Sequence, residues 1–221
     1  MAVSKRIMIA KRVAEELNAG DLVNLGIGMP TLVSNFVKPE KHIVFQSENG
    51  LVGISGVPEP GEEDYNLTDA GGMPAKAEIG ACFFDTLTSF TLIRGGHVDA
   101  TVLGAMEVDQ KGNLANYMIP EKLVAGMGGA MDLANGAKKV IVMTEHCNKH
   151  GQSKILKECT LPLTAVQAVD IIVTDMAVIE VKAGALVVKE IAASTTLEAV
   201  LNATDADLVV DPDLKIFGEE L

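Results

Sequence analysis

An alternation constrains this chain more than any other feature. Short apolar runs of strand length recur along it, separated by helical stretches and glycine-rich turns. "LVNLG" (Leu22 to Gly26), "HIVFQ" (His42 to Gln46), "ATVLGAM" (Ala100 to Met106), "KVIVM" (Lys139 to Met143) and "DIIVTD" (Asp170 to Asp175) each read as a strand. "GMPTLVSNFV" (Gly28 to Val37) reads as a helix, with Pro30 suited to its first turn. "AVIEV" and "ALVVKEI" flank Lys182, Ala183 and Gly184 and read as a late hairpin. Near the start, Ile7, Ala10, Val13, Ala14 and Leu17 recur at helical spacing, so the first helix is expected there, stopped by Gly20. Strand–helix alternation predicts an α/β open sheet, in one domain over residues 1–221. The stretch from Ser55 to Gly72, rich in Gly, Pro and acids, is the most loop-like part.

Charge narrows the partners. Eighteen Lys and Arg stand against thirty Asp and Glu, a net −12, which argues against broad binding to nucleic acid or an anionic membrane. A local basic pocket for an anionic ligand stays open. No apolar run reaches the roughly 18 residues that a membrane span needs. Glu15 and Glu16 interrupt the apolar stretch near the start, so it does not read as a signal peptide. Three irregularly spaced cysteines, Cys82, Cys147 and Cys159, read as reduced thiols of a cytoplasmic protein, not as a disulfide framework.

Ligands of open α/β sheets bind beyond the carboxyl ends of strands. "FQSENG" (Phe45 to Gly50) puts Glu48 at such a place, with Ser47 and Asn49 able to hydrogen-bond and Gly50 able to turn sharply. A carboxylate displayed there can act as a nucleophile or a general base. Ser, Asn and Gly are also ordinary turn residues, so a solvated turn is the competing reading. "NLGIGMP" (Asn24 to Pro30) carries Gly26 and Gly28 ahead of the expected helix, whose first N–H groups suit an anion; the third glycine of a dinucleotide fingerprint is missing. "GMGGAMDL" (Gly126 to Leu133) sets three glycines before another expected helix, either for close approach of a ligand to backbone or for a tight packed turn. "IRGGHVD" adds Arg94 and His97, and His97 reads as a structural or turn residue rather than a catalytic base. Glu145, His146, Cys147 and His150 cluster in "TEHCNKHGQSK", where the spacing of the two histidines makes metal conceivable, but the cluster lacks C-x-x-C and reads as a loop, so no metal is expected.

Taken together, these stretches resemble one family: the β subunits of the 3-oxoacid CoA-transferases, of the acetate/butyrate:acetoacetate type. The residues that carry the likeness are "VNLGIGMPT", "FQSENGLVG", "SFTLIRGGHVDATVLGAMEVDQKGNLANYMIP", "GMGGAMDL" and "EHCNKHGQSKILKECTLPLT", running from about Ile9 to Val181. The resemblance implies an open, mostly parallel sheet with flanking helices, shared with some sugar-phosphate isomerases. It implies that Glu48, in S-E-N-G, is the covalent nucleophile. It places Asn24 and the backbone of Gly128, Gly129 and Ala130 near a CoA thioester; Gly26, Gly28 and Asn49 are, from their own turns, further candidates for contact with CoA or an oxyanion. It implies short-chain acyl-CoA and carboxylate substrates, a partner α subunit, and no cofactor, since the CoA thioester is itself a substrate. The sequence departs from relatives at Asp69-Ala70-Gly71, where Asn-Ala-Gly is frequent. An acid cannot donate an amide N–H, so a CoA contact there is not expected.

A carboxylate relay suits this chemistry because it resembles both acids between which CoA moves. Two other classes fit the same fold: a sugar-phosphate isomerase with a carboxylate base, and a ligand-sensing module without catalysis.

Overall fold

The computed structural model of the chain describes residues 4–182 and 184–218. In chain order the larger elements are α1 (Lys5–Glu15), β1 (Leu22–Leu25), a 3₁₀ helix (Met29–Phe36), β2 (Val44–Ser47), β3 (Leu51–Gly56), β4 (Lys76–Phe83), α2 (Thr86–Arg94) and β5 (Ala100–Gly104). Four short strands follow: β6 (Glu107–Asp109), β7 (Leu114–Ala115), β8 (Met118–Ile119) and β9 (Leu123–Val124). Then come α3 (Ala130–Gly136), β10 (Lys139–Met143), β11 (Ile155–Leu156), β12 (Ile171–Val173), β13 (Ala177–Lys182), β14 (Ala185–Ala192), α4 (Leu197–Asn202) and β15 (Leu208–Phe217).

Ten strands form one sheet in the order β15-β14-β13-β12-β10-β5-β1-β2-β3-β4. The middle five, β12-β10-β5-β1-β2, are all parallel. Hairpins extend both sides: β13 and β14 pair antiparallel beyond β12, and β3 and β4 beyond β2. The expected mostly parallel α/β sheet is thus present, with antiparallel hairpins on both sides and the edge strand β15 again parallel to β14.

Central strands are buried on both faces, which is why they read as apolar runs. Ile141 and Met143 of β10 pack with Ile9 and Val13 of α1 and with Leu17 just beyond it; the alternate residues Val140 and Val142 pack with Ile93 of α2 and Leu133 of α3. Helix α1 is tied to the sheet by Arg12, whose guanidinium donates to Glu190 of β14 and to Glu16, each at 2.8 Å. Burial works against the charge on Arg12, but those two carboxylates outweigh it and keep it protonated.

Two expectations need correction. The first helix ends at Glu15 rather than at Gly20, which sits in the turn and donates its N–H to Lys41. The helix expected after Gly28 is present over Met29–Phe36 and is 3₁₀: Thr31 bonds back three residues to Gly28, and the Thr31 and Ser34 hydroxyls donate to carbonyls three residues earlier. The strand starting at Ala100 stops at Gly104, short of Met106. The late hairpin is present as β13 and β14, with Ala183 outside the described residues.

Candidate active site

Glu48 leaves the carboxyl end of β2 in a three-residue turn, since Ser47 pairs with Leu51 across the hairpin. Gly50 closes that turn, donating its N–H to the Ser47 carbonyl at 3.1 Å. Its φ of 126° lies where side chains are rarely accommodated, and a β-carbon would come within 2.0 Å of the Phe84 carbonyl oxygen. Only glycine fits.

The half-buried Glu48 side chain turns toward β1 and the start of α3. Asn24 Nδ2 lies 3.1 Å from Glu48 Oε2. Asn24 itself is fully buried, and the same nitrogen contacts Gln46 Oε1 at 2.7 Å and the Gln46 carbonyl at 3.2 Å. Gln46 Nε2 donates in turn to Ser89 Oγ of α2 at 2.9 Å. From the other side, a β-carbon built on Gly129 would stand 3.2 Å from Glu48 Cγ and 3.4 Å from Phe90 Cζ. The largely exposed salt bridge Arg94–Asp132, 2.7 Å, links α2 to α3 beside this turn.

The other expected residues divide. Gly128 and Gly129 form the turn before α3, and among the described residues their N–H groups make no backbone bond. Ala130 N–H is committed to the Met127 carbonyl at 2.9 Å. Gly26 continues the β1 ladder, donating to the Val102 carbonyl at 2.8 Å. Gly28, with φ 89°, opens the 3₁₀ helix. Asn49 is exposed and donates Nδ2 to the Thr68 carbonyl at 2.7 Å. Ser47 Oγ accepts from Ala70 N–H at 2.9 Å, so residues on both sides of Glu48 pin the 57–75 loop over the strand end. Asp69 acts there as an acceptor: its Oδ1 takes the N–H groups of Gly71 and Met73. An asparagine oxygen accepts the same two bonds, so the acid changes none of these contacts.

A cavity of about 660 Å³ lies at the ends of β1 and β2, with Gly28 and Gln46 in its wall. Phe45, Ser47, Leu32 and Met73 line it, and Glu48 does not.

The histidine cluster is structural. His146 is fully buried, with Nδ1 and Nε2 each 2.9 Å from a hydroxyl, those of Thr174 and Thr204. Burial pushes its pKa down to about 4, opposed by the Asp175 charge, so the ring is neutral at pH 7. His150 is exposed. Among the described residues no three His, Cys, Asp or Glu side chains gather as metal ligands. His97 is exposed in the turn after α2.

Residues 6–203 match the model of a family described as "Coenzyme A transferase". This chain belongs to the coenzyme A transferase family. It is 53% identical to the beta subunit of the acetate CoA-transferase of Haemophilus influenzae, over 94% of this chain and 93% of that one. It is 52% identical to one subunit of the succinyl-CoA:3-ketoacid coenzyme A transferase of Helicobacter pylori, over 93% of this chain and 99% of that one. In structure it is similar to the acyl-CoA transferase YdiF of Escherichia coli O157:H7, with a TM-score of 0.81 at 22% identity. That match covers 99% of this chain and 44% of YdiF, and shows the shared fold. The chain is therefore an enzyme chain of the CoA-transferase class.

Sequence reasoning did not find Gln46 or Ser89. They lie 43 residues apart and meet only through tertiary packing.

Proposed function

We propose that this chain is the β-type subunit of a transferase moving CoA between a short-chain acyl-CoA and a 3-oxoacid such as acetoacetate, with Glu48 as covalent relay. The observation that carries the reading is the Glu48 carboxylate, displayed at the end of a parallel strand, with the Asn24 amide 3.1 Å from its oxygen.

Four attacks complete the exchange. Ionised Glu48 adds to the thioester carbonyl and expels CoA thiolate, leaving an acyl-glutamyl anhydride. The thiolate attacks the glutamyl carbonyl, releasing the first free acid and leaving a glutamyl-CoA thioester. The acceptor carboxylate attacks that thioester, forming a second anhydride and freeing the thiolate again. Thiolate attack on the acyl carbonyl of this anhydride gives the new acyl-CoA and restores Glu48. Electrons and charge balance at every step without a redox cofactor or metal. Each attack on the glutamyl carbonyl develops negative charge on an oxygen that Asn24 Nδ2 faces, and the N–H groups of Gly128 and Gly129, unused by backbone bonds among the described residues, are candidate further donors from the turn beside Glu48. Water exclusion protects the anhydride. Membership of the coenzyme A transferase family supports transfer over the isomerase and ligand-sensing readings.

Both relatives are named as one subunit of their enzyme, the Haemophilus influenzae protein as the beta subunit, which supports a separate α-type partner that completes the site. Exposed Ile79, Phe83, Leu87 and Val124 support an apolar interface. Three free cysteines support a reducing, cytoplasmic setting. Acetate or butyrate with acetoacetate is the first assignment; succinyl-CoA as donor is the second, supported by the Helicobacter pylori relative.

Steady-state kinetics of Glu48→Ala, assembled with the α-type subunit, test the relay. The expected loss is at least about 10⁴-fold, roughly 5 kcal/mol of barrier. Near wild-type turnover removes Glu48 from the chemistry. The chain assayed without its partner is expected to show no turnover, and full activity of the lone chain contradicts the two-subunit site.

A further inference from the structure

We propose that Gln46 and Ser89 are positioning residues that keep the Asn24 amide aimed at the Glu48 carbonyl through both halves of the transfer. The proposal rests on Glu48 being the nucleophile.

The polarity of the network follows from its acceptor-only members. The Gln46 backbone oxygen and an ionised Glu48 oxygen can only accept, and both lie within 3.2 Å of one Asn24 atom. That atom must be the NH₂ group. Gln46 Oε1, 2.7 Å from the same nitrogen, is its shortest contact. With its oxygen turned to Asn24, Gln46 turns its own NH₂ to Ser89 Oγ, 2.9 Å away on α2. Asn24 Oδ1 is buried without a partner among the described residues, so nothing on the oxygen side fixes the amide. The orientation comes wholly from what surrounds the nitrogen.

This matters because Glu48 loses its charge on becoming an anhydride or thioester. A donor aligned only by that charge is then free to turn its oxygen toward the reacting carbonyl, where it repels the developing oxyanion. Gln46 Oε1 does not change during the cycle. Gln46 and Ser89 are 2% and 0% exposed, so water does not compete for these bonds. The arrangement is preorganisation at one remove: Ser89 orients Gln46, Gln46 orients Asn24, and Asn24 faces the reacting atom.

Gln46→Met, Ser89→Ala, the double variant and a Glu48→Ala control, each assembled with the α-type subunit, separate this from a packing role. Methionine keeps length and apolar volume but removes the Oε1 acceptor. The expected result for Gln46→Met is a kcat about 10- to 100-fold lower, with KM for acyl-CoA within about threefold, less than for deleting a donor outright. Ser89→Ala is expected to lose a smaller factor, about threefold or more, in kcat alone. The double variant is expected to match Gln46→Met, because Ser89 acts through Gln46 and the losses do not multiply. Should Gln46→Met fail to fold, Ser89→Ala decides, since alanine suits a helix interior. A folded Gln46→Met or Ser89→Ala enzyme with kcat within twofold of wild type overturns the proposal, as do losses that multiply in the double variant. An active Glu48→Ala control defeats the nucleophile reading itself; an inactive control beside an unaffected Gln46→Met defeats only the positioning chain.

Discussion

Gly129 leaves open the space that Glu48 occupies: a β-carbon there would lie 3.2 Å from Glu48 Cγ and 3.4 Å from Oε1. The Gly129 backbone, at φ −84° and ψ 0°, is open to any residue, so alanine brings crowding without backbone strain. Gly129→Ala is therefore expected to lower kcat/KM by at least about tenfold, about 1.4 kcal/mol, while the melting temperature stays nearly unchanged. Steady-state kinetics beside a thermal melt check this. Activity falling only in step with stability assigns the glycine to packing instead.

Gly50 predicts the opposite pattern. Its positive φ and the 2.0 Å approach of a β-carbon to the Phe84 carbonyl make Gly50→Ala a folding defect first. The expected cost is at least about 2 kcal/mol, a drop of roughly 4–8 °C in melting temperature for a chain of this size. A variant melting within a degree of wild type contradicts the strained-turn account.

His146 predicts a pH dependence of stability. Its folded pKa, about 4, lies below the ordinary 6.5 because burial disfavours the imidazolium. The unfolded chain therefore takes up this proton first as pH falls. The stabilisation is complete above about pH 6.5 and is lost on descending toward pH 4, by about 3 kcal/mol. Denaturant unfolding across this range is expected to show a slope that flattens by up to one proton in His146→Gln. Equal slopes in the two proteins contradict a buried neutral ring.

The parallel centre of the sheet was legible because β1, β2, β5, β10 and β12 are short apolar runs, and strands buried on both faces need such runs. Strands β3 and β4 were not. They carry Gly53, Gly56 and Gly80, their pairing shifts register twice, and β4 is largely exposed, so no alternation marks them. The helix after Gly28 was legible, but not its 3₁₀ type, because Leu32, Val33 and Phe36 suit either helical period and the hydroxyls that tighten it leave no periodic mark. At the site, Glu48 was visible from a strand end followed by Asn-Gly. The commitment of Asn49 to Thr68 was not, because it depends on where a loop 19 residues away returns. Gln46 escaped notice as a polar residue closing an apolar run, and only the fold reveals that it is 2% exposed beside Asn24.

The central claim is a covalent bond between Glu48 and CoA. Incubating the assembled enzyme with acetoacetyl-CoA, reducing with borohydride and mapping the peptides by mass spectrometry reads that bond directly. Borohydride reduces a glutamyl thioester to an alcohol, so the account predicts that the peptide bearing Glu48 carries the side chain as a primary alcohol, with turnover lost in proportion. An unmodified Glu48 in an enzyme that turned over before reduction, or reduction mapping to another carboxylate, contradicts it.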